Sequence, residues 1–199
     1  MTSNGDTECQ AAGRAASQPP VIITTRLILR GFEISDLEDF YALYADRAHA
    51  QFVSHIADRE AAFDKLASLI GHWHLRGFGR FAVADRTTGQ VIGHCGASQR
   101  NAALEPEVNY TFAPQCGGQG LATEAVINVL RHYYRDRQWT TAISVIDARN
   151  ERSIALAARV GATYEGVQQY GAQTLQVYRH LPASEFLERF YFAPNGGQH

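Results

Sequence analysis

The run Gln115-Cys116-Gly117-Gly118-Gln119-Gly120 has the residue types of an anion-binding loop. Glycines let the backbone come close to a bulky group and take positive φ. From Leu121 the pattern turns helical, with Ala122, Val126, Val129, Leu130 and Tyr133 on one stripe. A glycine loop that opens a helix aims free N–H groups and the positive end of the helix dipole at one spot, which suits a phosphate. The residues before it alternate as a strand over 107–112. Val108, Tyr110 and Phe112 fall on one face, and Glu107, Asn109 and Thr111 on the other. Pro114 ends the pairing because it has no N–H. Taken alone, the loop reads equally as a phosphate cradle or as an ordinary glycine-rich turn before a surface helix. It is neither of two common nucleotide loops. No lysine follows the glycines, as G-x-x-x-x-G-K-[ST] requires, and glycines at 117, 118 and 120 do not spell G-x-G-x-x-G.

What stands there is Gln115-x-x-Gly118-x-Gly120-x-Ala122, which resembles the pyrophosphate loop of the GNAT acyltransferases. Two other stretches resemble the same family. Thr25-Arg26-Leu27-Ile28-Leu29-Arg30, followed by Ser35-Asp36, is similar to the opening of the branch that acetylates ribosomal-protein N-termini. Asn150-x-x-Ser153-x-x-Leu156-x-x-x-x-Gly161 resembles the family's second motif. The order of the predicted strands and helices is also that of the GNAT fold, so the resemblance covers about residues 21–190.

The resemblance implies acetyl-CoA as co-substrate, with no metal. It implies that Thr111, Phe112, Gln115, Gly117, Gly118, Gln119, Gly120, Leu121, Ala122, Thr123, Asn150 and Ser153 bind it. The backbone around Phe112 would pair with pantetheine as an added strand does. Gln115 and the N–H groups from Gly117 to Ala122 would hold the pyrophosphate. Asn150 and Ser153 would line the channel where the strand before Asn150 splays from the strand at Glu107. Asn150 is also placed to cap its own helix.

The implied reaction moves an acetyl group from the thioester to a primary amine by direct attack in a ternary complex. The amine belongs to a protein N-terminus or a small molecule. Glu107 is the candidate base, directly or through a water; otherwise it is a strand-edge glutamate facing solvent. Ser153 is the candidate acid, because the tyrosine many relatives carry seven residues after the asparagine is Ala157 here. Tyr110 is an alternative acid if its ring turns inward, and a core residue if not. Two further departures are Ala162 after Gly161, where the family has an aromatic, and Gly117, where this branch often has tryptophan. The oxyanion donor is expected among the N–H groups of residues 109–111, freed by a bulge. Trp73, Phe78, Arg80 and Tyr170 are candidates for the acceptor site or for core and rim. An acidic site would favour a polyamine or aminoglycoside and a groove a peptide N-terminus; the sequence does not choose. Two rivals are a non-catalytic acyl-CoA-binding sensor and a generic nucleotide-binding domain. The missing lysine and the motif at Asn150 argue against the second.

These residues need a frame. Residues 21–30 read as the first strand, and Ser35 to Glu38 as a capping box before a helix carrying Leu37, Phe40, Tyr41 and Tyr44. A second helix over about 58–76 ends at Gly77, with Phe63, Leu66, Ile70 and Trp73 as its stripe. His72 and His74 diverge by about 200° on a helix, so they flank a core tryptophan and do not form a metal pair. Strands at 81–85 and 90–98 join through the turn at 86–89. After the 107–112 strand come a helix (121–137), a strand (139–146), a helix (150–160), a hairpin about Gly171 and a short helix from Pro182. The fold class is α/β: one GNAT-like domain over 21–190, with a mixed, mostly antiparallel sheet of about six to seven strands flanked by helices. Residues 1–20 and 191–199 read as flexible tails.

With 45% hydrophobic and 19% charged residues among 199, the chain is globular. A formal charge of -2 without a basic run argues against nucleic acid as a partner. The 3 cysteines, odd in number and without metal-like spacing, fit a reducing compartment and no disulfide framework. No signal pattern or membrane-length apolar run is present, so the expected location is the cytoplasm, away from membranes. Family habit and the aromatic C-terminal hairpin and helix imply a homodimer.

Overall fold

Leu27 and Leu29 are fully buried while Ile28 and Arg30 are half-buried, so period-2 alternation sets this strand against the core. The computed structural model describes residues 18–44, 52, 56–99 and 104–191, so the tails at 1–17 and 192–199 lie outside the described residues. The strands are β1 (Ile22–Ile23), β2 (Leu27–Arg30), β3 (Arg80–Asp85), β4 (Val91–Ser98), β5 (Glu107–Phe112), β6 (Ile143–Ile146), β7 (Thr163–Tyr170) and β8 (Gln173–Arg179). The helices are α1 (Leu37–Ala42), α2 (Arg59–Arg76), α3 (Leu121–Asp136), α4 (Glu151–Arg159) and α5 (Ala183–Arg189). One 8-stranded sheet runs in the order β1-β2-β3-β4-β5-β6-β8-β7. Among the described residues only β5 and β6 pair in parallel within it.

The sheet has one strand more than the upper expectation because the first predicted strand is a small hairpin. Thr24 N–H donates to the Leu27 carbonyl at 2.9 Å, and Leu27 N–H donates to Thr24 Oγ1 at 2.9 Å. That turn folds β1 back on β2, with Ile22 opposite Leu29.

The two faces of the sheet carry separate cores. On one, Val126, Val129, Leu130 and Tyr133 of α3 and Phe186 of α5 pack on Phe81, Val83, Cys95 and Val108. On the other, Phe40 of α1 and Leu66 and Leu69 of α2 pack on Ala82, Ala84 and Val91. Each such large side chain stabilises by about 1.5–3 kcal/mol when fully buried.

Two sequence expectations change. The box before α1 is formed by Glu33 and Asp36, not Ser35 and Glu38: Glu33 N–H donates to Asp36 Oδ2 at 2.8 Å. The Asp36 carboxylate also takes both Arg30 Nη1 and Nη2 at 2.7 Å, which selects it over Glu38. On α2 the buried stripe is Ala62, Leu66, Leu69 and Trp73, while Phe63 is 48% and Ile70 43% exposed. Asp58 caps this helix through Ala61 N–H, and Gly77 closes it at φ 74°. Among the described residues no helix is long and apolar enough to cross a membrane.

Candidate active site

β5 and β6 pair at Glu107 and Ile143 and then part. β6 pairs instead with β8, from Ile143–Arg179 to Ile146–Gln176. Ser144 stands in the fork. Its Oγ lies 2.9 Å from the Val108 carbonyl and 3.0 Å from His180 Nε2. The network assigns the serine proton to Val108 and the Nε2 proton to the serine. One side chain thus takes the carbonyl that a paired strand would have taken, and His180 holds it there.

The gap beyond the fork is a cavity of about 210 Å³. Val108, Asn109, Tyr110 and Thr111 line it from β5, and Ser144, Val145 and Ile146 from β6. Asp147, Asn150 and Ser153 border it after β6, and Tyr44, Phe52, Lys65 and Arg80 complete the lining.

Backbone parity decides which amides face this gap. Ala113 N–H donates to the Ile92 carbonyl of β4, and β5 runs in register with β4 from Glu107–Ser98 to Phe112–Gly93. Amides alternate sides along a strand, so those of Asn109 and Thr111 serve β4. Those of Val108, Tyr110 and Phe112 turn toward β6, as does the Val108 carbonyl that meets Ser144. The bulge expected at 109–111 is therefore absent, because an unbroken ladder occupies those amides. Where β6 diverges, the Tyr110 N–H meets no strand partner among the described residues, without a bulge. Gly93 permits the close β4–β5 approach: a Cβ there would sit 2.5 Å from the Thr111 carbonyl.

The glycine loop follows β5 directly and leads into α3. Pro114–Cys116 is a single 3-10 turn. Gly118 and Gly120 both take φ 75°, and Gly120 is the N-cap of α3. The N–H groups of Leu121, Ala122 and Thr123 have no acceptor within the helix. Arg26 braces the loop. Its Nη1 donates to the Gln119 carbonyl at 2.8 Å, and its Nε to Glu124 Oε2 at 2.7 Å. Thr24 Oγ1 donates to the same carboxylate at 2.6 Å. Gln119 Nε2 donates to the Gln115 carbonyl, and Arg159 reaches Thr123 Oγ1 from the end of α4.

Among the expected site residues, Thr111, Asn150 and Ser153 share the cavity wall. Asn150 caps α4, its Oδ1 taking Ser153 N–H at 3.1 Å. Tyr110 is on the cavity lining and also packs against the α3 core, and its hydroxyl donates to the Ser153 carbonyl at 3.0 Å. Burial pushes that phenol up, so it stays protonated. Phe112 packs against the α3 core. Glu107 sits at the closed end of the fork, electrostatically beside Arg80, and its neighbours Val108 and Asn109 form the cavity wall. Trp73 and Phe78 belong to the core, Tyr170 ends β7, and Arg80 lines the cavity. Ala157 packs with Ile146, Ala162 and Tyr178 beneath β6.

Sequence reasoning missed Lys65, Ser144 and His180, and took Asn109 only for its backbone N–H. No local signal links Ser144 to His180 at a separation of 36 residues. It also missed the contact of Tyr44 with His94, whose Nε2 lies 2.8 Å from the Tyr44 hydroxyl. Burial raises that phenol to about 12. Burial also holds both histidines neutral, His180 at about 4 and His94 well below its ordinary value.

A pH dependence of stability follows. The unfolded histidines take protons near pH ~6.5, and the folded ones resist them. Their contribution is complete above that range and is lost as pH falls through it toward about 4. The thermal midpoint is expected to drop between about pH 7.5 and 5.5, above the carboxylate range. An equal midpoint at both would contradict the buried, neutral state.

Known proteins share this fold. The family profile described as an acetyltransferase (GNAT) domain matches residues 26–163. The curated protein YkkB of Bacillus subtilis (strain 168), itself uncharacterized, is 25% identical over 165 residues, covering 79% of this chain and 93% of its own. The crystal structure of an acetyltransferase from Agrobacterium tumefaciens str. C58 has a TM-score of 0.73 at 23% identity, covering 81% of this chain and 94% of that one. RimL, a ribosomal L7/L12 alpha-N-protein acetyltransferase solved with coenzyme A, has a TM-score of 0.70 at 18% identity, covering 81% and 98%. At these identities the structures show a shared fold.

Proposed function

The chain belongs to the acetyltransferase (GNAT) family, and on that premise we propose that it transfers an acetyl group from acetyl-CoA to a primary amine in a ternary complex. One observation carries this reading. The β5–β6 fork opens a cavity bordered by β5 amides that turn toward β6, and β5 runs directly into a glycine loop that starts a helix.

Acetyl-CoA supplies the activated acetyl group, and the residues present fit it. Phe112 N–H and its neighbours on β5 would receive the pantetheine arm as a strand. Gln115, Gln119 and the amides from Gly117 through Gly118, Gly120, Leu121 and Ala122 to Thr123 would hold the pyrophosphate, and Thr111, Asn150 and Ser153 would border the arm. Charge-assisted amide bonds of this kind contribute about 1.5–3 kcal/mol each.

The chemistry is assigned to three groups. Glu107 takes the proton that the amine loses as its nitrogen bonds the carbonyl carbon. Tyr110 N–H, turned toward the gap, faces the oxygen that becomes negative. Ser153 gives a proton to the sulfur as the C–S bond breaks, and the Tyr110 hydroxyl beside it is the second candidate. The second reading, a sensor that binds acyl-CoA without turnover, rests on Ala157, which leaves the family's usual acid position without a proton.

Calorimetric titration with acetyl-CoA, using NAD and ATP as controls, tests the cofactor. Free-thiol release with an amine panel tests the turnover. Micromolar binding selective for acetyl-CoA is the expected result. Folded protein that binds none would remove the basis for every role above, and binding without turnover of any amine would favour the sensor.

A further inference from the structure

Arg80 opens β3, and its side chain lines the cavity on the side of α1 and α2. Its backbone is fixed, because the Trp73 indole N–H donates to the Arg80 carbonyl at 2.9 Å. Two of its guanidinium nitrogens are poorly satisfied. Nη2 reaches Ser98 Oγ only at 3.5 Å, and the buried Nε has no acceptor among the described residues. A buried guanidinium donor without an acceptor is costly, and a carboxylate is the group whose shape fits its fork.

The charges around it point the same way. Lys65 of α2 lines the same cavity, so two cations border this space. Among the described residues the one carboxylate on the lining is Asp147, and Arg149 already holds it, with Nη2 at 2.7 Å and Nε at 3.0 Å. Glu107, the proposed base, also lies beside Arg80 and offsets part of its charge, but its role is to take the amine's proton. His94, next to Tyr44, is neutral. Burial lowers the Arg80 pKa, but an arginine keeps its charge in a protein. A polyamine or aminoglycoside would bring like charge to Arg80 and Lys65. An amine that carries a carboxylate would bring the opposite charge. The two cations would also favour the neutral form of the acceptor amine, which is the nucleophile.

We propose that Arg80, with Lys65, binds a carboxylate of the acceptor, so that the acceptor is a carboxylate-bearing amine. This rests on the amine-acetylation reading and narrows its substrate class. Two sources share the chemistry: a free amino acid, and a peptide whose N-terminal residue is acidic.

The test uses the full chain and three readouts. Acetyl-CoA binding is measured first by calorimetry. Thiol release is then compared between matched pairs: free amino acids against their α-amides, and N-terminal Asp or Glu dipeptide amides against their Asn or Gln counterparts, with spermidine as the cationic arm. In one of the two series the acid is expected to exceed its amide by about tenfold or more in kcat/KM, and that series identifies the source. In Arg80→Gln the gap should close with acetyl-CoA affinity kept. Should that variant fail to fold, Lys65→Met must narrow the gap. Acids and amides used alike, spermidine preferred, no amine turned over by protein that binds acetyl-CoA, or a gap unchanged in a folded variant would each overturn the proposal. Loss of acetyl-CoA binding in the wild-type protein would instead overturn the acetyl-transfer reading beneath it.

Discussion

Changing Gly118 and Gly120 together to alanine is expected to weaken acetyl-CoA binding about a hundredfold. Both residues take φ 75°, the left-handed region that resists a Cβ. A Cβ at Gly118 would meet nothing within 4 Å, and at Gly120 it would meet only Arg26 Nη2 at 3.6 Å. The protein by itself therefore has room for both methyl groups, at a backbone cost of about 1–3 kcal/mol each. The open space beside the loop is where a pyrophosphate would have to approach. Loss of two charge-assisted amide bonds is worth roughly 3 kcal/mol, or about a hundredfold in Kd. Gly89 provides the control. It sits in the β3–β4 hairpin at φ 76°, and a Cβ there also meets nothing within 4 Å. Gly89→Ala carries matched strain away from the loop and should leave binding unchanged. Calorimetry on the folded variants decides. Wild-type affinity in the double variant, or equal loss in Gly89→Ala, would detach the glycines from cofactor binding.

The contrast between these glycines shows what the sequence could reveal. Helix and hairpin ends were legible because their signals are local. Asp58 and Gly77 bound α2, Asn150 and Gly161 bound α4, and Gly89 and Gly171 mark turns. The buried stripe of α2 was not legible, since 62, 66, 69, 73 and 63, 66, 70, 73 both fit a helical period. Docking against α1 and β4 chose between them. The loop and second motif were readable as spelling; of the two, the second lines the cavity through Asn150 and Ser153, and Arg159 at the end of its helix reaches Thr123 after the loop. The fork itself depends on Ser144 and His180, and on which way the amides of β5 face. Those are properties of pairing between distant strands, and no window of sequence contains them. The expected bulge fails for the same reason: it placed in one strand a freedom that arises from the parting of two.

Glu107→Gln should lower kcat by about a hundredfold, the scale of a lost general base. Acetyl-CoA affinity should stay, because Glu107 stands at the closed end of the fork and the arm would lie beyond it. The pH profile separates chemistry from damage. Without a base the amine must lose its proton to solvent, so the variant's rate should climb with pH and approach wild type in alkali. A loss of the same size at every pH would mean that the new amide disturbs Arg80 or the fork, and wild-type activity would remove Glu107 from the mechanism. The departing sulfur calls for a paired comparison at fixed pH. Tyr110→Phe deletes a hydroxyl bonded to the Ser153 carbonyl, and Ser153→Ala deletes the other nearby hydroxyl while leaving that carbonyl in place. Ser153 as acid predicts the larger fall in kcat for the alanine variant. A larger fall for the phenylalanine variant moves the role to Tyr110, whose burial keeps its proton in place until the thiolate forms.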